Sequence, residues 1–529
     1  MKKVWILILI VLLMTACKPQ TTSEYNFEAE DPSFSYFPKT TMNEDKHLYV
    51  FGYENDRKLN MHELTTGQAI QGLFARDEVT FYLNTQSTGE AYWLQDMVDH
   101  DGITYELIGL SQMIEMYKNK FEDVGYLLYD QNETESINVA TSLAGILGYL
   151  PIEKTLESIA ISAGLEMKMD VSEKSEKWAF DTYKDEFNWN SVIQLRQDIP
   201  HLRDYGVTFK YFYFYQDEVS SAAINFRDEI HRAVAMDSPI FGWGPFAEDS
   251  HIGIASRNGQ FTLPSDYSYN TTVYSARDFF NIEDLDMQIE EEAIVPQNDK
   301  HYVTIVRSDG DNLQTWYNYF PFSDKDLGAT RSDFSMGWSI QPSLVDIAPN
   351  ILRDIYTNRD ENDYYVASVS GQGYMYPSLY PDLKDFVQRL DVYLQKTDLD
   401  IVQILDSGPD EDVVQWYSQM PSLKGAIYMY GEKYKGGDGS VIWSENGKPF
   451  VSIRESLWDS TSASIADRIN QYDTDYTSIN GYTIINLHPW SQSYQDVSEL
   501  VSLFDDHVEV ISPSQLFDLI IENVDRDEN

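Results

Sequence analysis

The sequence predicts an α/β protein, with an N-terminal α/β domain and a C-terminal (β/α) barrel-like domain compatible with an incomplete seven-stranded barrel. Its 529 residues suffice for several domains, and its 42% hydrophobic and 23% charged residues are typical of a globular chain. Apolar, β-branched runs alternate with helical patterns along much of the chain. No glycine-rich dinucleotide fingerprint follows any of these runs, which favours a barrel over a doubly wound sheet.

The first residues predict an export signal and a lipid attachment site. Met1–Lys3 is basic, and the apolar run after it is shorter than the roughly 20 residues that span a bilayer. Met14-Thr15-Ala16-Cys17 resembles a bacterial lipobox and contains the only cysteine, although an ordinary signal peptide is the alternative. We expect a signal peptide over residues 1–16 and a tether over 17–45. The lipobox resemblance implies an exported protein, held at the cell membrane by a lipid on Cys17.

The remaining chain divides near residues 290–300, at the acidic, proline-containing stretch IEEEAIVPQNDK. This boundary predicts an N-terminal domain over residues 46–290 and a C-terminal domain over residues 298–525. No internal repeat is visible, and the Gly, Pro, Ser and Asp content of residues 241–270 predicts long loops there. The patterns of the N-terminal half predict strands at Leu48–Tyr53, Val79–Leu83, Val124–Tyr129 and Phe209–Tyr215, and helices at Asn138–Leu150 and Ile152–Gly164.

The C-terminal half alternates more regularly. A helix is indicated where apolar residues from Leu383 to Leu394 share one face, and another where Ser512, Pro513 and Gln515 form a helix-start signal. The predicted strands are Tyr302–Val306, Tyr364–Val369, Leu399–Leu405, Ala426–Tyr430, Pro449–Ile453, Tyr482–Leu487 and Val508–Ile511.

The net charge and the aromatic content indicate which classes of binding partner suit the protein. The formal net charge of −48 repels phosphate backbones and anionic lipid surfaces, so nucleic-acid binding is not expected. Aromatic residues reach 14% of the chain, and their flat rings suit both protein cores and the apolar faces of sugars.

Polar side chains follow six of the predicted strands, where the active sites of parallel α/β folds lie. Two carboxyl groups across a glycosidic bond can cleave it if one of them is protonated, and crowding of carboxylates raises the pKa of at least one. Asp309 is the first candidate, and Asp311 is either its partner or a loop cap. The catalytic candidates are Asp309, Asp311, Asp406, Glu432, Glu455 and His488.

Neighbouring polar and aromatic residues are candidates for holding a sugar. Trp338, Tyr374, Tyr376 and Trp490 offer rings, and Gly371 and Gly373 allow close approach of the backbone to a ligand. The predicted substrate-binding residues are Asn312, Trp338, Gly371, Gly373, Tyr374, Tyr376, Arg454 and Trp490.

Other chemistries fit the residues less well. A serine nucleophile is not indicated because no GxSxG motif occurs. A divalent ion at Asp309, Asp311 and His488 would suit a metal-dependent polysaccharide deacetylase, but HExxH is absent and no cofactor is required by the pattern. A non-catalytic glycan-binding lipoprotein is a further alternative.

Residues 371–377, Gly-Gln-Gly-Tyr-Met-Tyr-Pro, match the signature that names the GxGYxYP putative glycoside hydrolases. Residues 308–314, 336–340 and 486–490 resemble the same family. In the N-terminal half, Gly242-Trp243, Glu248, Ser256 and Gly259 are similar to its N-terminal domain. The resemblance implies an N-terminal α/β domain, a barrel-like hydrolase domain and a carbohydrate substrate. Together with the strand-end carboxylates, it predicts an exported, lipid-anchored hydrolase that acts on an oligosaccharide or polysaccharide.

Overall fold

The computed structural model describes residues 25–277, 288, 291–307, 312–318 and 334–526. Within them the chain forms three small parallel sheets, a two-stranded hairpin and one large curled sheet, parallel apart from one short antiparallel edge strand. The α/β class and the barrel-like C-terminal domain are therefore confirmed.

The three small sheets belong to three successive units of similar design. In each sheet the first strand of the unit lies in the middle, and the next two strands of that sheet pair on its two sides. The first unit contains β1 (His47–Phe51), β2 (Tyr53–Glu54), β3 (Arg57–Lys58), α1 (Met61–Phe74), β4 (Phe81–Leu83), α2 (Thr88–Asp101), β5 (Thr104–Leu107) and α3 (Leu110–Lys120).

The second unit has the sheet order β7-β6-β8, and the third has the order β10-β9-β11-β12. The second comprises β6 (Tyr126–Tyr129), α4 (Glu135–Leu147), β7 (Leu150–Glu153), α5 (Glu157–Ser162), β8 (Met167–Asp170) and α6 (Glu176–Tyr183). The third comprises β9 (Val192–Gln194), α7 (Arg203–Phe209), β10 (Phe212–Phe214), α8 (Ser221–Ala233), β11 (Ser238–Gly242), α9 (Glu248–Arg257), β12 (Gln260–Leu263) and α10 (Thr271–Tyr274).

The expectation of long loops over residues 241–270 is wrong, because α9 and β12 lie within that range. Both elements are short, α9 contains Gly and Ser, and tertiary packing overrides their weak local signal. In contrast, the predicted strands at β1, β4, β6 and β10 are confirmed to within a few residues.

The barrel-like domain contains the predicted strands and three that the sequence did not indicate, β14, β18 and β20. Its strands are β13 (His301–Arg307), β14 (Met336–Ile340), β15 (Asp363–Ala367), β16 (Ile401–Leu405), β17 (Gly425–Met429), β18 (Val441–Trp443), β19 (Pro449–Ser452), β20 (Glu455–Leu457), β21 (Tyr482–Leu487) and β22 (Val508–Val510). Its helices are α11 (Asn312–Asn318), α12 (Leu344–Ile347), α13 (Pro349–Thr357), α14 (Leu383–Thr397), α15 (Glu411–Ser418), α16 (Ser462–Ile469), α17 (Tyr494–Ser502) and α18 (Pro513–Asn523).

The strand order is β18-β19-β17-β16-β15-β14-β13-β21-β20, with β22 beside β13. Only two residues separate β19 from β20. Because β19 pairs with β17 and β20 pairs with β21, the chain passes across this two-residue bend from one side of the curled sheet to the strand at its opposite edge.

Helix α18 covers the amino-terminal end of the barrel. It begins with the predicted capping box of Ser512 and Gln515, with Pro513 in the first turn. Phe517 lies so close to Gly425, the first residue of β17, that a Cβ there would meet its ring at 2.4 Å. The carboxyl ends of the strands, at the opposite end, form the mouth.

The N-terminal units share an apolar core with the barrel and also make polar contacts with it. Arg353 on α13 forms ion pairs with Asp96 and Asp101 on α2, at 2.8 and 3.2 Å. The GxGYxYP segment makes a second contact, since the backbones of Tyr374 and Thr262 on β12 exchange hydrogen bonds of 2.8 and 2.9 Å. The signature segment thus joins the barrel to the third unit.

Candidate active site

Two of the predicted catalytic residues, Asp309 and Asp311, lie outside the described residues. Asn312 is the first residue of α11, and its side chain is likewise outside them. Their roles stay predictions. The lipid attachment residue Cys17 also lies outside the described part of the chain.

Asp406 directly follows β16, as predicted, and is buried. Its carboxylate accepts hydrogen bonds from the Ser378 amide (2.9 Å) and hydroxyl (2.6 Å) and from the Ser407 amide (2.7 Å). Burial nevertheless raises the pKa of Asp406 above its usual value. These bonds hold the turn after the signature segment against the mouth of the barrel.

Glu455 does not face the mouth. In a continuous strand, residues an odd number of positions apart lie on opposite faces of the sheet. Phe450 and Leu457 are seven positions apart but pack in the same core, so the bend between β19 and β20 reverses the face to which each residue points. Glu455 is buried beside α16, where Arg468 binds its two oxygens at 2.9 and 2.6 Å and Tyr472 donates a further hydrogen bond. Although burial alone would raise it, these partners hold the pKa of Glu455 below its ordinary value.

The other strand-end candidates of this region are near the surface. Glu432 is exposed in a short 3-10 helix after β17. Arg454, in the bend, donates to the Asn480 carbonyl (2.9 Å) and lies 3.8 Å from the centre of the Tyr472 ring. The structure thus places Arg454 in packing contacts on the barrel wall.

Several predicted sugar-binding residues are buried within protein contacts. Trp338 on β14 is 2% exposed and donates from Nε1 to Asp363 at 2.7 Å, so its ring is not accessible to a sugar. Gly373 is needed because a Cβ would come within 2.7 Å of the Thr262 carbonyl oxygen. Gly371 has a φ of +93°, which favours glycine. Tyr374 is also buried and packs 5.0 Å from the Trp243 ring. Gly373 thus allows close approach to β12, and Gly371 allows close approach to Leu390 on α14, rather than to a ligand.

Tyr376, Glu248 and His488 lie along the contact between the third unit and the mouth. Tyr434 donates to both oxygens of Glu248, at 3.2 and 3.1 Å. The Tyr434 ring meets Trp458, which stacks on the predicted catalytic His488 with ring centres 3.8 Å apart. Burial, and then the charges of Glu248, Asp249 and Asp406, raise the pKa of the Tyr376 hydroxyl.

A cavity of about 470 Å³ opens beside this contact and is the best candidate for an active site. Each strand of the third sheet contributes to it a side chain from just beyond its carboxyl end, and the barrel contributes two more from beyond β13 and β21. The lining residues are Arg196, Tyr215, Trp243, Asp266, Tyr267, Gln314 and Trp490. The cavity therefore lies where the carboxyl edges of two parallel sheets meet, the usual position of ligand sites in such folds.

Asp266 has the properties of a general acid. It lies three residues after β12 and is 7% exposed. Its Oδ1 is buried and has no hydrogen-bond partner among the described residues, while Gln314 hydrogen-bonds the carboxyl group. Burial raises the pKa of Asp266 to about 6. A substantial fraction of this group is therefore protonated at mildly acidic pH.

The walls of the cavity suit a sugar. Trp490, predicted as a sugar-stacking residue, is 51% exposed on one wall, and Trp243 lies on another. Trp243 is fixed by a perpendicular contact with His251, at 4.4 Å between ring centres. A rigid ring beside polar groups is the arrangement that binds both the apolar and the hydroxyl-bearing sides of a sugar.

Over the described ranges, no cluster of three or more His, Cys, Asp or Glu residues is arranged to hold an ion. Over the same ranges, no helix is both long enough and apolar enough to span a membrane.

Three family models match the chain. Residues 299–521 match the "GxGYxYP putative glycoside hydrolase C-terminal domain", residues 190–276 the "GxGYxYP third domain", and residues 124–187 the "GxGYxYP_N second domain". The chain belongs to the GxGYxYP family. The second and third units of the fold correspond to the second and third domains of this family.

A solved structure is similar to this GxGYxYP protein over nearly its whole length. It is described as a putative hydrolase from Bacteroides thetaiotaomicron VPI-5482, with 28% sequence identity and a TM-score of 0.83. The match covers 94% of this chain and 99% of the other. No curated protein gives a match. The family and the structural neighbour support a hydrolase.

The sequence did not identify Asp266, Arg196 or Gln314 as site residues. Asp266 and the strand before it fall in the region that was expected to form loops, so no strand end was assigned there. The signal that pointed to this part of the site was the Gly242-Trp243 pair, which resembles the family pattern and ends β11.

Proposed function

We propose that this protein is an exported, lipid-anchored glycoside hydrolase that cleaves its substrate in the cavity between the third unit and the barrel mouth. The observation that carries the proposal is Asp266, a buried carboxyl group with a pKa raised to about 6 and an oxygen without a partner among the described residues. It lies in a cavity with tryptophans on its walls.

In the proposed reaction Asp266 is the general acid. Its proton passes to the glycosidic oxygen as the bond between that oxygen and the anomeric carbon breaks, and the water oxygen finally bonds to that carbon. The Gln314 amide holds the Asp266 carboxyl group, and Trp243 and Trp490 hold the sugar rings.

A second carboxylate is required, either to take a proton from water or to attack the sugar. Asp309 remains our proposal for this role. It follows β13 in the chain and precedes α11, whose Gln314 contacts Asp266. The predicted roles of Asp311 and His488 also remain proposals.

The test is cleavage of glycans by the Asp266→Asn variant. Loss of a general acid lowers kcat by about 10²- to 10⁴-fold, and release of reducing ends from a panel of neutral polysaccharides measures it. Asp400→Asn is the matched control, because burial also raises the pKa of Asp400 but the residue precedes β16, at the amino-terminal end of the barrel. Equal activity of Asp266→Asn and wild type would contradict the assignment.

The same experiment separates the enzyme from a glycan-binding lipoprotein. A binding protein would retain glycans on an array and release no reducing ends in the wild-type form. The lipid anchor needs its own test: the wild-type protein should incorporate labelled fatty acid in a bacterial host and the Cys17→Ser variant should not.

A further inference from the structure

A second cavity, of about 500 Å³, lies at the junction of the three N-terminal units. Its residues come from the start of α1, from the loop after β6, and from the segments after β9 and β10. They are Met61, His62, Gln131, Thr134, Ile137, Arg196, Gln197, Asp198, Tyr215 and Asp217. The carboxyl ends of two sheets therefore meet here as well.

The two cavities share part of their walls. Arg196 and Tyr215 line both the second cavity and the cavity that contains Asp266. No residue of the cavity at the carboxyl edge of the first sheet, of about 510 Å³, lines either of them. Because the first two cavities share these walls they are adjacent, and we refer to them together as the groove; the cavity on the first unit shares no lining residue with them.

The lining of the second cavity is polar but offers no free cation. Arg196 is paired with Asp198 through two contacts, of 2.9 and 2.5 Å, and Asp217 adds a further carboxylate. The shared Tyr215 backbone is held by Gln197, which donates to its carbonyl at 3.1 Å. An anionic ligand would therefore be repelled, and a neutral one would be favoured.

Hydrogen-bonding groups stand in fixed positions along this part of the groove. His62 contacts the Tyr129 hydroxyl through Nδ1 (2.9 Å) and the Gln131 amide oxygen through Nε2 (3.1 Å). The Gln131 and Asp217 residues are exposed. Amide and carboxylate groups beside a tyrosine ring are the partners that sugar hydroxyls and ring faces use.

We propose that the second cavity binds further sugar units of the same chain that is cleaved beside Asp266, so that the substrate is an extended, uncharged oligosaccharide or polysaccharide. This inference rests on the proposed function. It names a neutral glycan chain, rather than a short or acidic sugar, as the substrate class.

The experiment uses wild-type protein and the double variant Gln131→Ala/Asp217→Ala. The probes are oligosaccharides of increasing length, from the disaccharide upward, prepared from each member of a panel of neutral polysaccharides. The wild-type kcat/KM should rise with chain length and then level off. Loss of these hydrogen bonds should lower the ratio of kcat/KM for long chains to that for the disaccharide by about tenfold.

The matched control is Gln471→Ala/Asp506→Ala, which removes an exposed amide and an exposed carboxylate from the outer barrel. It should leave this ratio unchanged, and thermal unfolding of both double variants checks their folding. Two results would contradict the extended binding groove but not the hydrolase activity. One is a wild-type kcat/KM that does not depend on chain length, and the other is an equal loss of kcat/KM for short and long chains in the double variant Gln131→Ala/Asp217→Ala.

Calorimetric titration with the same oligosaccharides tests the case in which the wild type binds them but does not cleave them. If the wild type cleaves none of them, but its affinity rises with chain length and the groove variant loses that rise, the groove is supported and the hydrolase is rejected. If it neither cleaves nor binds them, both proposals fall.

Discussion

Two buried carboxyl groups, Asp266 beyond the carboxyl end of β12 and Glu455 at the start of β20, have opposite properties. Asp266 is 7% exposed and Glu455 is 2% exposed. Burial raises the pKa of Asp266 to about 6, whereas Arg468 and Tyr472 keep the pKa of Glu455 low despite its burial. Burial alone therefore does not decide which carboxyl group can act as an acid; a cation bonded directly to the carboxylate, as Arg468 is to Glu455, does.

A third buried carboxyl group, Glu176, sharpens this comparison. It accepts hydrogen bonds from the Tyr215 amide (3.0 Å), from Asn138 (2.9 Å) and from Gln216 (2.7 Å). All these donors are neutral, and burial raises the pKa of Glu176 to about 8. These neutral donors lower the pKa of Glu176, but not enough to offset its burial and the charge of Glu135.

Removing the cation from Glu455 should have the largest effect on stability of the single substitutions at fixed pH. Arg468→Met keeps the aliphatic stem but leaves the buried carboxylate without its charge partner. The free energy of unfolding should fall by about 3 kcal/mol, the lower end of the range for buried ion pairs, because Arg468 itself is partly exposed. Chemical denaturation at neutral pH measures the loss. Arg232→Met, which breaks an exposed pair with Asp228, is the control and should cost under about 1 kcal/mol. Equal losses in the two variants would contradict the distinction between buried and exposed pairs.

Glu176 should make stability depend on pH. Its folded pKa of about 8 lies above the ordinary value of 4.5, so the folded state keeps a proton that the unfolded state has lost between these values. The free energy of unfolding should then fall by about 1.4 kcal/mol per pH unit as the pH rises from about 4.5 to 8. Denaturation across this range, compared with Glu176→Gln, isolates the effect. The same slope in both proteins would show that Glu176 is not the group responsible.

Asp266 should control the alkaline side of the activity profile. Only its protonated form is the acid, so kcat/KM should fall tenfold per pH unit above about pH 6. Initial rates across the pH range give this limb. An unchanged limb in the residual activity of Asp266→Asn would assign it to another group.

Removing the Trp490 ring from the exposed wall of the cavity should have the smallest effect on activity. Trp490→Ala removes a stacking surface and should raise KM by about two- to tenfold with little change in kcat. Tyr105→Ala in the first unit removes a similarly exposed ring (45%) outside the cavity and is the control. A fall in kcat without a change in KM would indicate that Trp490 acts in the chemical step instead.

Much of the secondary structure was predictable because its causes are local. The apolar face of α14 and the capping box of α18 depend only on residues close in the chain, and both elements form where expected. Strand β14, with the sequence MGWSI, was not predicted although its large apolar residues alternate with Gly337 and Ser339, because Gly337 weakens the strand propensity of so short a segment. The placement of Glu455 was missed because a two-residue bend reverses the side of the sheet on which it lies.

By itself, the sequence determined the class of fold, the barrel-like second half, the family signature and the acidic, sugar-compatible composition. Only the tertiary structure showed that each N-terminal unit places its first strand between the next two of that sheet, without a visible sequence repeat, and that Gly373 of the signature lets the barrel pack against β12. It also decided which carboxyl group is buried beside a cation and which is not. Periodicity and caps depend on adjacent residues, whereas the charge state of a buried group depends on partners that are distant in the chain.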